Sequence, residues 1–353
     1  MSYNKKVIFK IKRTFDDLDI YNFLNVKYSL RKLSDKDFEI FLPIFINKLL
    51  EYGFDNIVTY YNNGLTLDTL DWLNLKKKYI DKDWINSTSV VGTNIIKRHM
   101  LHIYEVRNYK GFNIKGKWEK KSLEKALRAN RKSHSTPYIS EIIRQLGFTA
   151  GTSKVTIYRP LLTKRIVETL NAKNVLDVCV GWGGRMLGSS CIEGVSYTGI
   201  EPFSKTYDAL VNIKNILGLE NVSLYNGPAE TILEHLERKY DLAITSPPYY
   251  NLEIYSDEPT QSHYYGTYEE WILRFLRPVV YGVLDKLVEN GYSCWSVKNF
   301  KTDKVYNLYD DIVKLHTDKG WVQIDREFYV GNNVRPGNDK KGKEITYVFV
   351  KNK

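Results

Sequence analysis

The spacing of apolar residues changes along the chain. From about residue 151, short apolar runs alternate with helical stretches, which is typical of buried parallel strands covered by helices on both faces. We predict strands at residues 175–180, 195–200, 222–225, 241–245, 292–297, 322–330 and 345–350. Helices are predicted between them, for example at 207–217 and 268–289. The pattern therefore indicates an α/β domain with a doubly wound, seven-stranded sheet, whose last two strands are joined by a Gly- and Asn-rich loop at 331–343 that we expect to be mobile.

The first 150 residues lack this regularity. Apolar side chains recur at spacings of three and four over residues 35–52, so an amphipathic helix is predicted there. Residues 120–130 and 137–146 are further helix candidates, and Gly147 is expected to close the second. Alternation of apolar and basic side chains at 6–12 suits an exposed strand. These elements together predict an α+β module in residues 1–150.

Charge is divided along the chain in the same way. Residues 1–150 contain 27 Lys and Arg against 16 Asp and Glu, whereas residues 151–353 contain 25 of each, so the net charge of +11 lies wholly in the first part. Residues 91–150 alone contain 13 basic and 4 acidic side chains. Such a concentration suits phosphate neutralisation, although a solvated basic face without a partner has the same composition. We predict a basic module at 1–150 and an α/β domain at 151–353.

Cysteine use and hydropathy exclude several classes of protein. Cys179, Cys191 and Cys294 are too few and too scattered for a disulfide framework or a zinc site, so we expect a reducing, intracellular setting and no metal. No stretch approaches the ~20 apolar residues of a membrane span, and the first residues mix charges unlike a secretory signal. A soluble protein is expected.

A glycine-rich turn follows the first predicted strand. There Asp177 and Cys179 lead into Gly181 and Gly183, whose missing side chains let the backbone approach a ligand. A tight connection without a ligand has the same pattern. About twenty residues further on, the second strand ends at Glu201, where a carboxylate can accept hydrogen bonds from ribose hydroxyls. The spacing predicts a nucleoside without identifying it.

The fourth predicted strand ends in Thr245, Ser246, Pro247, Pro248 and Tyr249. Adjacent prolines fix φ and lack amide donors, so the turn presents carbonyl acceptors. An approaching amino group can donate one hydrogen to the Ser246 hydroxyl and the other to the Pro247 carbonyl, which favours the tetrahedral nitrogen whose lone pair attacks a methyl group. Tyr249 can stack on a flipped or single-stranded base. The alternative is a purely structural Pro-Pro turn.

In this order the segments resemble the S-adenosylmethionine-dependent amino-methyltransferases of nucleic-acid bases, whose catalytic motif is Asp, Asn or Ser followed by Pro-Pro and Tyr or Phe. The resemblance covers roughly residues 150–353 and implies the class I methyltransferase fold, which is Rossmann-like. It implies catalysis by Ser246, Pro247, Pro248 and Tyr249. The residues that it implies for binding S-adenosylmethionine are Asp177, Cys179, Gly181, Gly183, Glu201, Pro228, Ala229, Thr245, Tyr158 and Pro160.

The sequence departs from this family at Pro228, where many relatives carry an acid that binds the adenine amino group. Backbone groups and Ala229 would have to serve instead. The segment with Tyr158 and Pro160 resembles one that packs over the methionine end of the cofactor, but a linker and helix cap explain it equally well.

Within the family, TSPPY is most associated with methylation of cytosine N4, so site-specific methylation of DNA at cytosine N4 is the leading hypothesis and adenine N6 is second. An RNA base is the alternative substrate. A nucleic-acid-binding protein with an inactive methyltransferase domain is the alternative of another class, and Pro228 is its best support. Methylation at cytosine carbon-5 is rejected because no cysteine follows a proline.

Target binding is expected in the loop after the motif, in the basic module or in another protein. The loop at 251–266 would close over the base, with Tyr250, Tyr255 and His263 in the pocket, or it is an ordinary surface connection. In the basic module we predict that Arg128, Arg131 and Lys132 bind the substrate. Aromatic side chains that lie between the charges could stack on bases, and these are Tyr104, Tyr109, Phe112 and Trp118.

Overall fold

The computed structural model describes residues 33–63, 65–77, 89–133, 137–152, 155–330 and 344–352. The strand predicted at 6–12 and the loop predicted at 331–343 lie outside these ranges. The chain forms two compact units. Unit 1 comprises Met1–Leu65 and Leu101–Val155, and unit 2 comprises Thr66–Met100 and Thr156–Lys353.

The α-helices of the described residues are α1 (Asp35–Tyr52), α2 (Phe54–Asn63), α3 (Asp68–Lys77), α4 (Thr93–His99), α5 (Lys120–Lys132), α6 (Ile139–Thr149), α7 (Pro160–Thr169), α8 (Gly184–Ser190), α9 (Ser204–Leu217), α10 (Ala229–His235), α11 (Tyr268–Trp271), α12 (Arg277–Lys286) and α13 (Leu308–Thr317). A π-helical turn, Ile272–Leu276, joins α11 to α12. The strands of the main sheet are β1 (Asn174–Asp177), β2 (Ser196–Glu201), β3 (Val222–Asn226), β4 (Tyr240–Thr245), β5 (Leu287–Val297), β6 (Trp321–Val330) and β7 (Glu344–Lys351). Two-residue strands lie at Arg107–Asn108, Glu253–Ile254, Phe300–Lys301 and Val305–Tyr306, and short 3₁₀ turns at Leu101–Glu105, Lys115–Lys117 and Ser262–Tyr265.

Unit 1 is built around the apolar faces of α1, α2, α5 and α6. Helix α1 begins where Ser34 accepts a hydrogen bond of 3.1 Å from the amide of Asp37, an N-cap that satisfies one otherwise unpaired donor. Its predicted apolar positions, among them Phe41 and Leu49, are buried. Gly147 does not close α6 as predicted, because the helix continues to Thr149 and Gly147 does not adopt the positive φ of a glycine cap.

Unit 2 contains a seven-stranded sheet in the order β3-β2-β1-β4-β5-β7-β6. Strand β7 runs antiparallel to both of its neighbours, and the pairs β1–β2, β2–β3, β1–β4 and β4–β5 are parallel. This order with a reversed seventh strand is the class I methyltransferase fold, so the predicted fold is confirmed. Among the boundaries that differ, the helix predicted to reach residue 289 ends at Lys286, and β5 begins at Leu287.

One large part of the core of unit 2 lies between the sheet and the helices that follow β4 and β5. Trp271 and Trp295 are fully buried there, on the 268–286 helical segment and on β5 respectively. Removal of a buried Trp side chain costs about 3–5 kcal/mol, so these contacts fix the helical segment on the sheet. The loops at the ends of β4 and β5 are thereby anchored.

Unit 2 also contains α3 and α4, which the predicted division at residue 150 had assigned to the basic module. The buried ammonium group of Lys164 donates hydrogen bonds to the carbonyls of Leu75 (3.1 Å) and Lys76 (2.8 Å) at the end of α3. Gly92, just before α4, lies against the ring of Pro160. These contacts join the end of α3 and the residue before α4 to α7. The periodicity of the sequence does not predict them.

The carboxyl ends of β1, β2, β4 and β5 lie at one edge of the sheet because these strands are parallel. Strand β7 begins at the same edge, since its antiparallel register sets Ile345 opposite Val297, the last residue of β5.

Among the described residues, no helix combines the length and the hydropathy that crossing a membrane requires.

Candidate active site

The glycine turn after β1 contains two glycines with different roles. Both have positive φ, +56° at Gly181 and +78° at Gly183. A Cβ atom at Gly183 would lie 2.7 Å from the Leu210 side chain, so this glycine is needed for the packing of α9. A Cβ at Gly181 would meet only the Cys179 carbonyl, 3.9 Å away. The space in front of Gly181 is therefore open to a ligand.

Glu201, the last residue of β2, is bound to this turn. One carboxylate oxygen accepts a hydrogen bond from the amide of Gly181 (2.8 Å) and the other from the amide of Phe203 (3.0 Å). Burial raises the pKa of Glu201 to about 7, although both amides favour its ionised form. The structure thus brings together Gly181 and Glu201, the two residues on which the prediction of a nucleoside site depended.

Asp177 lies beneath the turn and is fully buried. Its carboxylate accepts hydrogen bonds from Arg185 (2.7 and 3.2 Å), from the Tyr197 hydroxyl (2.8 Å) and from the Thr245 hydroxyl (3.0 Å). The amide of Cys179 donates to it at 3.2 Å, and the Cys179 carbonyl accepts from Arg185. The five hydrogen bonds that Asp177 accepts engage both of its carboxylate oxygens. The Thr245 hydroxyl and the Asp177 carboxylate thus bind each other, and the contact of both residues with the cofactor stays a prediction.

The segment with Tyr158 and Pro160 packs against α8, directly after the glycine turn. A Cβ at Gly184 would lie 1.9 Å from the Tyr158 carbonyl, and one at Gly188 would lie 2.2 Å from the Pro160 carbonyl. The Tyr158 hydroxyl lies 2.8 Å from the Thr346 hydroxyl, and its buried ring carries the Arg185 guanidinium at 5.2 Å. The segment therefore supports the turn from the side of α8.

Pro228 forms the N-cap of α10, and its carbonyl accepts hydrogen bonds from the amides of Thr231 (3.2 Å) and Ile232 (3.0 Å). Ala229 is buried behind it. The amide of the preceding Gly227 donates to the Glu201 carbonyl at 3.2 Å, so this loop lies beside the end of β2.

The turn after β4 carries the predicted catalytic residues. The Ser246 hydroxyl is partly exposed and donates to the Ser296 carbonyl at 3.2 Å. Pro247 is buried, Pro248 is half-buried and the Tyr249 ring is buried edge-on against Phe300, with 5.5 Å between ring centroids. The Ser246 hydroxyl and the Tyr249 ring are therefore oriented by contacts within the protein.

Two charged residues that sequence reasoning missed lie beside this turn. A carboxylate oxygen of Glu344, the first residue of β7, is 3.4 Å from the Ser246 hydroxyl. Burial raises the pKa of Glu344 to about 7, while the positive charge of Lys298, just after β5, acts to lower it. In the sequence, the only signal for Glu344 is an acidic residue directly before the last predicted strand.

The loop after the turn crosses back to the end of β2. Glu258 accepts hydrogen bonds from the amide and hydroxyl of Ser204 (3.0 and 3.2 Å), and the Thr260 hydroxyl donates to the Pro202 carbonyl (3.0 Å). These contacts hold the loop over the edge that carries Glu201.

The three predicted pocket residues of this loop have different surroundings. Tyr255 donates to Glu253 at 2.5 Å; burial and then the charges of Glu253, Glu201 and Glu344 raise its pKa, so Tyr255 lies near both halves of the site. Tyr250 lies instead in an aromatic cluster with Tyr268, and its hydroxyl donates to the Gly266 carbonyl at 2.8 Å. The ring of His263 lies against that of Tyr264 at a tilt of 35°, with 4.1 Å between the ring centroids.

The predicted substrate arginines of unit 1 are engaged within that unit. Arg128 forms two hydrogen bonds with Glu39 (2.6 and 3.0 Å) and two with Glu124 (3.1 and 2.9 Å). Arg131 binds Asp35 at 2.6 Å and the Leu33 carbonyl at 3.1 Å. Both therefore fasten α1 to α5, and their role in binding the substrate stays a prediction. Lys132 is exposed at the end of α5.

The aromatic residues predicted to stack on bases divide into two groups. Tyr104 and Trp118 pack edge-on against Phe54, with centroid distances of 5.4 and 5.2 Å. Tyr109 and Phe112 are each 41% exposed on a single turn.

Among the described residues, no group of three His, Cys, Asp or Glu side chains is arranged to hold a metal ion.

No family model and no curated protein sequence matches the chain. Solved structures match it at low similarity. TrmN from Thermus thermophilus is 15% identical over 54% of this chain and 48% of its own (TM-score 0.39). NSun6 from Pyrococcus horikoshii, solved with SFG, is 18% identical over 59% and 55% (TM-score 0.41). An S-adenosylmethionine-dependent methyltransferase from Clostridium acetobutylicum is 13% identical over 56% and 93% (TM-score 0.39). The chain thus spans about half the length of the first two, and the fold assignment rests on the strand order.

Proposed function

We propose that the protein transfers a methyl group from S-adenosylmethionine to an exocyclic amino group of a nucleic-acid base, with cytosine N4 of DNA as the first candidate and adenine N6 as the second. The observation that carries this proposal is the position of the Ser246 turn at the same sheet edge as Gly181 and Glu201. A methyl donor and an amino acceptor must meet within a few ångströms, and one edge with both kinds of group provides that.

The residues around Gly181 fit a nucleoside ligand. The open Cα of Gly181 leaves room for close approach, and each oxygen of Glu201 accepts one amide and retains a lone pair. Two ribose hydroxyls can donate to those lone pairs. The loop of Gly227 and Ala229 lies beside Glu201, where the adenine would be held by backbone groups. When bound, S-adenosylmethionine would supply an electrophilic methyl group.

The Ser246 turn fits an amino group. Because the Ser246 hydroxyl donates to the Ser296 carbonyl, its lone pairs are left to accept a hydrogen from the amine. The Pro247 carbonyl would accept the second hydrogen. Phe300 holds the Tyr249 ring in one orientation, which reduces the entropy lost when a base stacks on it.

Unit 1 provides a surface that suits single-stranded nucleic acid. Asn108 fixes a turn by accepting hydrogen bonds from the amides of Lys110 (3.0 Å) and Phe112 (3.0 Å). The ammonium group of Lys110 lies 5.4 Å from the ring of Tyr109, and that of Lys117 lies 4.2 Å from the ring of Phe112. Exposed rings flanked by cations combine base stacking with phosphate attraction. Base stacking and phosphate attraction serve single-stranded RNA and DNA alike, which keeps an RNA base as the alternative substrate.

The proposal is tested by incubating the protein with isotopically labelled S-adenosylmethionine and either DNA or total RNA, followed by mass spectrometry of the nucleosides. We expect labelled N4-methylcytidine or N6-methyladenosine, in the deoxy form if DNA is the substrate. Label in neither polymer would contradict the proposal and favour an inactive methyltransferase domain.

A further inference from the structure

Glu344 lies beside the catalytic turn and has no role in the proposed function described above. It begins β7, and the antiparallel register of β7 with β5 sets Thr346 opposite Ser296. The Ser246 hydroxyl therefore lies between two oxygen atoms, the Ser296 carbonyl at 3.2 Å and a Glu344 carboxylate oxygen at 3.4 Å. A carboxylate is held directly behind the hydroxyl that would receive the target amine.

Methylation of an amine releases a proton. The nitrogen lone pair forms the new bond to the methyl carbon, the bond from that carbon to sulfur breaks with its electron pair going to sulfur, and the nitrogen then carries one hydrogen too many. Ser246 can accept a hydrogen bond from this hydrogen, but a serine hydroxyl is far too weak a base to keep the proton. A carboxylate next to it is strong enough.

We propose that Glu344 is the proton acceptor of the reaction, taking the proton of the target amino group directly or through the Ser246 hydroxyl and passing it to water. This role rests on the proposed function. In the relay, the Ser246 hydroxyl first turns its hydrogen from the Ser296 carbonyl toward Glu344. The Ser246 oxygen then accepts the amine hydrogen while its own hydrogen moves to Glu344, so that serine ends neutral and Glu344 ends as a carboxylic acid. Reionisation of Glu344 in water restores the starting state.

The charges around Glu344 suit this exchange. Burial favours the neutral acid and Glu253 acts in the same direction, whereas Lys298 and Arg185 favour the carboxylate. The neighbouring Tyr158, Tyr249 and Tyr255 all have pKa values raised by burial, so they stay neutral and do not compete for the proton. With its pKa at about 7, Glu344 is ionised before the reaction in a large fraction of molecules near neutral pH and is basic enough to bind the proton.

The test compares the wild type with Glu344→Gln, which keeps an oxygen that can accept from Ser246 but cannot take a proton. The concentration of S-adenosylmethionine is kept saturating at every pH, so that the ionisation of Glu201 does not limit the rate. The single-turnover rate of the wild type is then expected to rise about tenfold per pH unit below 7 and to level off above it. Glu344→Gln should be slower by about 10²- to 10⁴-fold and should lose this pH dependence. Its affinity for S-adenosylhomocysteine and for an oligonucleotide should stay within about twofold, as expected for a general base that binds neither in the ground state.

A second readout is independent of turnover. The infrared spectrum of the wild type minus that of Glu344→Gln should show a protonated-carboxyl band that disappears with a midpoint near pH 7. Glu289→Gln, an exposed carboxylate near the start of β5, is the matched control and should leave rate, profile and band unchanged.

The outcomes separate the two proposals. A wild type that methylates no polynucleotide would overturn the proposed function, and the role of Glu344 with it. An active wild type whose rate or pH profile Glu344→Gln leaves unchanged would overturn only the role of Glu344. A slower variant that keeps the acid limb, or the absence of the carboxyl band, would also overturn it.

Discussion

The amide of Gly181 donates a hydrogen bond of 2.8 Å to the side chain of Glu201. This contact joins the turn after β1 to the end of β2 and holds a buried carboxylate in front of an open glycine. Burial raises the pKa of Glu201 to about 7, so its ionised and neutral forms are present in comparable amounts near neutral pH. A ligand with two hydroxyl groups would favour the ionised form.

The affinity for S-adenosylhomocysteine should therefore depend on pH. Hydroxyl donors require the ionised Glu201, so we expect the dissociation constant to rise about tenfold per pH unit below 7 and to be flat above it. Isothermal titration calorimetry between pH 5.5 and 8.5 measures this. Glu201→Gln should bind more weakly and without this pH dependence; an unchanged profile in that variant would count against Glu201 as the ribose acceptor.

The glycines of α8 should be needed for packing. Gly188→Ala would bring its Cβ to 2.2 Å from the Pro160 carbonyl, which is backbone and cannot rotate away. We expect the free energy of unfolding to fall by about 1–3 kcal/mol, although Ala is the better helix former. Gly147→Ala in α6, where nothing lies within 4 Å of the added Cβ, is the control and should gain about 0.5–1 kcal/mol. Chemical denaturation compares the two, and equal effects would contradict this packing.

Glu344 should reduce stability above neutral pH. Its pKa is raised from an ordinary value of 4.5 to about 7 in the folded state, so between these values the folded protein binds a proton that the unfolded chain does not. This contribution to stability is complete below pH 4.5 and is lost as the pH rises through 7. Relative to the wild type, Glu344→Gln should thus be more stable by about 1–3 kcal/mol at pH 8 and nearly equal at about pH 4. Melting temperatures at both pH values measure it, and the same difference at both would refute the assigned shift.

The Tyr109–Phe112 turn should contribute to polymer binding. Loss of a stacking ring costs about 1–3 kcal/mol per base, so Phe112→Ala should weaken binding of a single-stranded oligonucleotide by about fivefold or more. Phe148→Ala is the control, since Phe148 is another exposed ring of unit 1 with an arginine 5.7 Å away. Fluorescence anisotropy at two salt concentrations reports both affinities, and equal losses would remove the turn from the proposed surface.

Much of unit 2 could be predicted from sequence because its signals are local. Buried parallel strands read as continuous apolar runs, and Gly181, Glu201 and Ser246 each follow directly from such a run. The start of β5 at Leu287 was missed, since residues 287–291 continue the pattern of the preceding helix.

The remaining features depend on contacts between distant segments. Glu344 is 98 residues from Ser246 in the sequence, and the register of β7 places its carboxylate beside the serine hydroxyl. Arg185, which lies in α8, donates a hydrogen bond to the Asp177 carboxylate. Arg128 resembles a phosphate ligand in composition, but Glu39, 89 residues earlier, binds it. Charge counts do not reveal such pairing.

The most direct test of the central claim is a single-turnover reaction with labelled S-adenosylmethionine and single-stranded DNA or RNA, comparing the wild type with Ser246→Ala and identifying the labelled nucleoside by mass spectrometry. We predict transfer to an exocyclic base nitrogen by the wild type, and a loss of at least about 100-fold in Ser246→Ala, with S-adenosylhomocysteine bound equally well by both. Full activity in Ser246→Ala, or label on a ring carbon, would contradict the account.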